Sequence, residues 1–497
     1  MISSLHPDPD FRSHLTLVLC TILHAFTHAY ATMLVPMYLL VQKDLGLPGV
    51  AKVSWIVTLY GVVYFIGSYF AGIAADRFDR KLLLGLGLLG NAVAITLMGL
   101  THRYELLVVL AVIAGIAGTF FHPAANALVP AHYPKNPGMA IGLLGIGSGL
   151  GFWVGPQFAG WRSQAATWQF AGVSDWQRPL VEAGIAGLVI GVVFLLIAKE
   201  AERLTPSPRR GEGRGEGGNA QPSDSVDSGD QASNGVSEYP HNMTTHVSPL
   251  TPALSPRGER EPRPAIEYQS RLPINPRIKA PLGRHLTIQT LLVAFVLGFR
   301  DLAGVAAISL SSIFLLKAYG QSAARVGFVV GTMMLSATIV NPLLVWLTPG
   351  KRRLPSLAII LLLGGAIIAT LPHWPLSAVL PLMCGFMTMQ LGSYAVSDAA
   401  MLERVPNAAR GRVTGLFLLW AGTLGSTGPW IMGRWTDHMG EASHDPHAYT
   451  WPFLAVAIGM WIAAACPPLI ARLGKVGVSP PIDPFTETTP ATMSAVG

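Results

Sequence analysis

Apolar stretches of roughly 20 residues recur twelve times along this chain, each long enough to cross a hydrocarbon core of ~30 Å as a helix. They lie near Leu15–Val41, Val50–Ala75, Leu82–Thr101, Glu105–Ala131, Gly138–Gly160, Pro179–Ala198, Leu286–Leu316, Ser322–Thr348, Leu354–Leu371, Leu376–Ala400, Gly411–Gly433 and Trp451–Arg472, numbered below as spans 1–12. Inside a bilayer every backbone polar group needs a partner within the chain, so such spans must be helical. Only 12% of the 497 residues are charged and 51% are hydrophobic, whereas about a quarter of a soluble protein is charged. The pattern therefore predicts an all-α membrane protein of twelve transmembrane helices, with the lipid bilayer as its first partner.

The charges are unevenly spread. Residues Lys199–His285 hold 12 basic and 11 acidic side chains among Pro, Gly and Ser, with hardly any apolar run, as in a segment too polar to fold. A near-repeat inside it, Leu204-Thr205-Pro206 and Leu250-Thr251-Pro252, each followed by Ser-Pro-Arg, reads as a tolerated insertion. With this linker set aside and both termini on the cytoplasmic side, thirteen Lys and Arg fall on that side and eight on the other, the bias expected of cytoplasmic loops. The net charge of +7 is thereby explained by orientation, without a nucleic-acid partner. The polar head Met1–His14 and the histidines of span 1 argue against a cleavable signal peptide. Cys20, Cys384 and Cys466 are too scattered for a disulfide framework.

The chain also repeats itself. At an offset of 273, Gly138, Gly142, Gly149, Gly155, Pro156 and Gly160 match Gly411, Gly415, Gly422, Gly428, Pro429 and Gly433, and Ala51-Lys52-Val53 matches Ala324-Arg325-Val326. Two parallel six-helix halves follow, 1–198 and 286–475, joined by the linker 199–285 and ending in a flexible tail, 476–497. Parallel repeats of this kind place a substrate site at the midplane between the halves.

Between spans 2 and 3 stands Gly72-Ile73-Ala74-Ala75-Asp76-Arg77-Phe78-Asp79-Arg80-Lys81. It resembles the G-x-x-x-D-R-x-G-R-K/R signature of the major facilitator superfamily, with Asp79 where the pattern has Gly. The resemblance implies that Gly72, Asp76, Arg77, Arg80 and Lys81 form a conformational lock against the start of span 11, near Arg410–Arg412. A plainer reading, basic anchors at a helix end, covers Arg77, Arg80 and Lys81 but not the whole spacing. In span 5, Gly142, Gly151, Gly155, Pro156 and Gly160 resemble the family's antiporter motif, with Ala159 replacing one glycine; generic small-residue packing is the alternative. Span 4 lacks the R-x-x-Q-G pattern of many proton-coupled members. Its Phe120-Phe121-His122-Pro123, with histidine in span 1, looks like the fosmidomycin-resistance branch, while a histidine beside a proline kink explains the string as well.

Charges within a membrane are costly and are functional candidates. Well inside the spans are Arg300 and Asp301 in span 7 and Asp398 in span 10. Neighbours on a helix point about 100° apart, so Arg300 and Asp301 are expected to meet different partners across the cavity, Asp301 as proton carrier and Arg300 as an anchor for an anionic group or as the charge that keeps Asp301 ionised, or else to serve in a structural ion pair between the halves. His24 and His28, four apart on one face, suit a proton relay, a substrate contact or plain packing. Metal ligation fits their spacing, but no third ligand is evident and no metal is expected. His122 completes the candidate pathway.

The resemblance implies a rocker-switch transporter with a cavity lined by spans 1, 4, 7 and 10, in the cell (inner) membrane, handling a small molecule and protons as a monomer. The span-5 motif favours export; proton-linked uptake is the alternative, and a non-transporting sensor would need an ordered signalling domain. No nucleophile–base set or nucleotide loop supports an enzyme, and no cofactor is expected. Deleting Thr205–Arg263 is expected to leave membrane insertion intact, checked by protease accessibility; loss of insertion would show the segment to be structural.

Overall fold

The computed structural model describes residues 9–164, 172–200, 283–406 and 409–473, and every regular element among them is helical. Residues 201–282 of the expected linker and the whole expected tail, 476–497, lie outside the described residues. Eleven described stretches are long and apolar enough to cross a bilayer: Phe11–Asp44, Val50–Arg77, Arg80–Met98, Tyr104–His132, Pro137–Arg162, Arg178–Ile197, Arg284–Lys317, Ala323–Leu344, Gly350–His373, Leu376–Leu402 and Pro446–Arg472. These are spans 1–10 and 12. At the place of the expected span 11 stand two shorter helices in series, Arg410–Gly425 and Gly428–Met439, joined by Thr427 N–H donating to Leu424 and Ile431 N–H to Thr427. At 1.5 Å per residue neither alone covers ~30 Å.

Proline accounts for this interruption and for two others. Pro429 has no N–H for the carbonyl of Gly425, and the helix parts there. Span 1 changes to a 3₁₀ turn at Val35–Met37, one turn after Thr32, whose carbonyl Pro36 cannot serve. Span 4 parts between Gly118 and Phe121, where Pro123 has no N–H for the Thr119 carbonyl; separately, the Thr119 hydroxyl donates to the Tyr64 carbonyl at 2.9 Å. Pro156 and Pro342 sit in helices that run on, so proline permits a break without forcing one.

One end of the bundle, here the terminal face, gathers the starts of spans 1, 3, 5, 7, 9 and 11. Asp10 caps span 1 through the Ser13 N–H at 2.8 Å and meets Lys199 Nζ at 2.9 Å. Lys199 first and Ser13 second hold the Asp10 carboxyl well below the usual carboxylate range. Asp79 caps span 3 through the Leu82 N–H at 2.7 Å. Its φ of −56° needs no glycine, so the departure from the family pattern exchanges a flexible turn for a cap.

Without a hydrophobic drive between helices in lipid, close packing depends on small residues. Gly147, Gly151 and Gly155 of span 5 lie against Thr21, Ala25 and Ala29 of span 1, four-residue steps meeting four-residue steps, with no room for a Cβ at any of the three. The halves meet where span 2 packs on span 11 and span 5 on span 8. At the far face this seam is tight: Asp437 accepts from the N–H groups of Val50 (2.8 Å) and Ala51 (3.0 Å), Ser312 donates to the Val35 carbonyl (2.6 Å), Tyr38 and Ser309 share a hydrogen bond (3.1 Å), and Gly160 abuts Ala323. Towards the terminal face, Gly72, Gly138, Gly142, Gly145, Gly411 and Gly415 have open space where a side chain would stand.

Gly151→Ala is expected to lower stability by about 1–3 kcal/mol through overpacking against Ala25. Gly142→Ala, facing open space, is expected to be neutral or to stabilise by up to about 1 kcal/mol through helix propensity. Thermal unfolding in detergent checks the pair; equal melting temperatures would contradict the span 1–span 5 groove.

Candidate functional site: a cavity between the halves

Between the halves lies a cavity of about 300 Å³. Thr27, His28, Ala31, Thr32 and Val35 of span 1, Val57 to Phe65 of span 2 and Phe152 of span 5 form one wall. Gly304 to Ser309 of span 7, Met334 of span 8, Met387 to Tyr394 of span 10 and Ser426 and Pro429 of span 11 form the other. A cavity lined by spans 1, 4, 7 and 10 is thus corrected: spans 2, 5, 8 and 11 contribute lining, while span 4 stands behind. His122 of span 4 lies against His24, His28 and Tyr64, the last two of which line the cavity. A second, open depression of about 740 Å³ at the far face is lined by Lys52, Trp55, Tyr104, Glu105, Trp430, Arg434 and Asp437, among others.

The N-terminal wall carries three histidines. His24 Nδ1 lies 2.8 Å from the Leu144 carbonyl, which can only accept, so Nδ1 bears the proton and Nε2 a lone pair. His28 Nε2 is 3.1 Å from that lone pair and donates to it. Phe121 stacks on His24 at 4.6 Å between centroids, and Phe152 packs against His28 at 4.2 Å. His122 makes ring contacts but no hydrogen bond among the described residues. One nitrogen from each of the three rings lies within 4.8 Å of the others. A third imidazole that spacing in span 1 did not reveal is therefore His122; it comes from another helix, beyond the reach of an i, i+4 reading.

The C-terminal wall covers the buried charges. Arg300 and Asp301, expected to face different partners, form a direct ion pair: Nε and Nη2 of Arg300 each lie 2.9 Å from Asp301 Oδ1. The angle between neighbours describes Cβ directions, and the arginine stem is long enough to fold its guanidinium back over the next residue. Arg300 Nη1 also donates to Ser397 at 2.9 Å, and the ring of Tyr394 lies 3.5 Å beneath the guanidinium. Arg300 is fully buried, Asp301 nearly so, and Asp398 has an exposed side chain within electrostatic influence of both. Tyr394, donated to by Gln390 at 3.3 Å, separates the pair from the cavity. Gln390, Tyr394 and Asp398 fall at four-residue steps of span 10, a spacing that could have drawn attention to all three.

Of the residues in the superfamily-like loop, Arg80 donates to the Ala127 carbonyl at 3.2 Å and the Lys81 N–H to Glu200 at 2.7 Å. Asp76 and Arg77 are exposed, and Asp76 makes no hydrogen bond or ion pair among the described residues. Among the described residues no ion pair joins Asp76 to Arg410 or Arg412, and Gly72, Gly411 and Gly415 have open space where a side chain would stand. Of the carboxylates near span ends, Glu182 pairs with Arg162 and Glu403 with Arg353. Removing one partner of a buried pair strands the other, so Arg300→Ala is expected to cost about 3–5 kcal/mol. Arg300→Met with Asp301→Asn should recover most of that in the same detergent melts; an Arg300→Ala protein as stable as the parent would contradict the pairing.

A family model described as the Major Facilitator Superfamily matches residues 17–429. The chain is 33% identical over 141 residues to multidrug resistance protein MdtG of Dickeya zeae strain Ech586, covering 27% of this chain and 34% of that protein. It is 26% identical over 172 residues to multidrug resistance protein 1 of Bacillus subtilis strain 168, covering 34% and 42%. The chain thus spans well under half the length of these curated relatives. Among solved structures, a bacterial homologue of the human lysosomal transporter Spinster, inward-facing and occupied, aligns with a TM-score of 0.68 at 14% identity, over 94% of this chain and 98% of its own. The nucleoside transporter NupG aligns with a TM-score of 0.61 at 11% identity, over 92% and 99%. These two show the fold. With two parallel six-helix halves, a cavity between them and a family match across both, the chain belongs to the Major Facilitator Superfamily of multi-pass membrane transporters, not to an enzyme family.

Proposed function

We infer that the protein exports a small molecule in exchange for protons by alternating access. The observation that carries this reading is the cavity between the halves, closed by hydrogen bonds at the far face and backed on span 7 by a buried arginine–carboxylate pair. Its walls are mostly apolar, with His28, Gln390, Tyr394, Tyr60 and Tyr64 among the polar groups that line it, as suits a modestly polar organic ligand. Protons are assigned to Asp301, with Asp398 and the histidines His24, His28 and His122 as the remaining pathway. Protonating Asp301 removes the charge that Arg300 holds and frees the guanidinium, so a proton and an anionic group on the substrate compete for one cation.

Export is favoured because the relatives are named for multidrug resistance and because Gly142, Gly151, Gly155, Pro156 and Gly160 follow the antiporter-like spacing. The Phe120-Phe121-His122-Pro123 string supports a place near the fosmidomycin-resistance-like branch. The basic-residue bias supports an inner membrane location with the terminal face, the lock residues and residues 199–285 cytoplasmic, between bundles at 1–198 and 286–475.

Proteoliposomes loaded with a pH-sensitive dye and challenged with a panel of organic compounds test the reading. Substrate-dependent proton movement opposite to substrate is expected, and Asp301→Asn should abolish the proton signal while leaving substrate binding within about tenfold, because the amide keeps the shape. Proton movement in the same direction as substrate would establish uptake instead. Full proton-coupled transport by Asp301→Asn would remove Asp301 from its role.

A further inference from the structure

The geometry points to a metal site in the N-terminal half: His24, His28 and His122 bind one late first-row divalent cation, with Zn²⁺ as the probe, leaving its remaining coordination position towards the cavity. The inference does not rest on proton-coupled export. It follows from three imidazoles, drawn from two helices, whose nitrogens converge within 4.8 Å.

A tetrahedral ion with metal–nitrogen bonds of about 2.0–2.1 Å places its ligand nitrogens about 3.3–3.4 Å apart. His24 Nε2 and His28 Nε2 already stand 3.1 Å apart. His122, tied by no hydrogen bond among the described residues, needs only a side-chain adjustment to close the third edge. The outer shell has the form common to metal-bound histidines: the Leu144 carbonyl takes the Nδ1 proton of His24 and presents Nε2 inwards. Phe121 and Phe152 hold the ring planes. Binding requires His28 to carry its proton on Nδ1 in place of Nε2, a tautomer change that leaves the ring neutral.

Ligand chemistry narrows the cation. Three imidazoles with no carboxylate bonded to them suit Zn²⁺, Cu²⁺ or Ni²⁺ and do not suit Ca²⁺ or Mg²⁺, which require oxygen. Three neutral ligands leave the ion's double charge uncompensated in an apolar wall. An anionic or lone-pair donor entering from the cavity would therefore complete the shell, and His28 is the member of the trio that lines that cavity. The ligand class implied is a small molecule with a metal-coordinating head group, such as a hydroxamate or a thiolate.

The test uses full-length protein in detergent, without a polyhistidine tag and stripped by chelator. Titrating Zn²⁺ calorimetrically should give one ion per chain, and Co²⁺ should develop the intense visible bands of tetrahedral coordination. His24→Ala, His28→Ala and His122→Ala should each weaken Zn²⁺ by at least the 10–100-fold that losing an outer-shell partner costs, while His102→Ala, at the far face, should match the parent. If an alanine variant fails to stay monodisperse, the glutamine series His24→Gln, His28→Gln and His122→Gln carries the same comparison. No stoichiometric Zn²⁺ binding by the parent, or binding that survives replacement of all three histidines, would overturn the site.

Discussion

Asp437 holds the two halves together where they are closed. It belongs to the second helix at the place of span 11, yet its carboxylate accepts from the first two N–H groups of span 2, across the seam. A carboxylate at a helix N-terminus satisfies orphan donors and sits favourably in the helix dipole. Gly49 leaves the room this approach requires, since any Cβ there would overlap the carboxylate. Around this contact Trp430 N–H donates to Thr58 at 3.1 Å and Gly433 packs on Ala51 and Ser54. The far face is thereby closed by a few directional bonds over close backbone packing.

The polar content of the interior follows the same economy. Among the described residues, three buried ionisable groups have their partners at hand: Arg300 with Asp301, Ser397 and Tyr394; Arg162 with Glu182; His24 with a carbonyl and with His28. Each set lies within one half. The halves can then separate or tilt without stranding a charge in hydrocarbon, which would cost more than the seam contacts contribute. Keeping these charge partners within one half is compatible with the alternating access proposed for the seam.

Much of this was legible in the residues. Backbone saturation in lipid forces helices, so apolar windows located the spans to within a turn or so, and the 273-residue offset announced paired halves. Three kinds of feature were not legible. Helix breaks depend on whether neighbours accommodate a missing N–H, so Pro36, Pro123 and Pro429 interrupt helices where Pro156 and Pro342 do not. The direct Arg300–Asp301 pair is not legible from Cβ directions, which say little about a side chain as long as arginine's. His122 joining His24 and His28, Tyr394 beneath Arg300, and Asp437 at span 2 are meetings between helices remote in sequence, and one chain without its packing does not reveal them.

The measurement that bears most directly on the hinged seam is pulsed electron–electron spin distance spectroscopy on full-length protein in nanodiscs, with Cys20, Cys384 and Cys466 replaced by alanine. One labelled pair, Lys52→Cys with Arg434→Cys, reports the far face; another, Asp76→Cys with Arg410→Cys, reports the terminal face. Alternating access predicts two populations in each pair, exchanging in opposite senses as pH or ligand is varied, the far-face distance growing as the terminal-face distance shrinks. Single, invariant distances at both faces, or distances that rise and fall together, would contradict it.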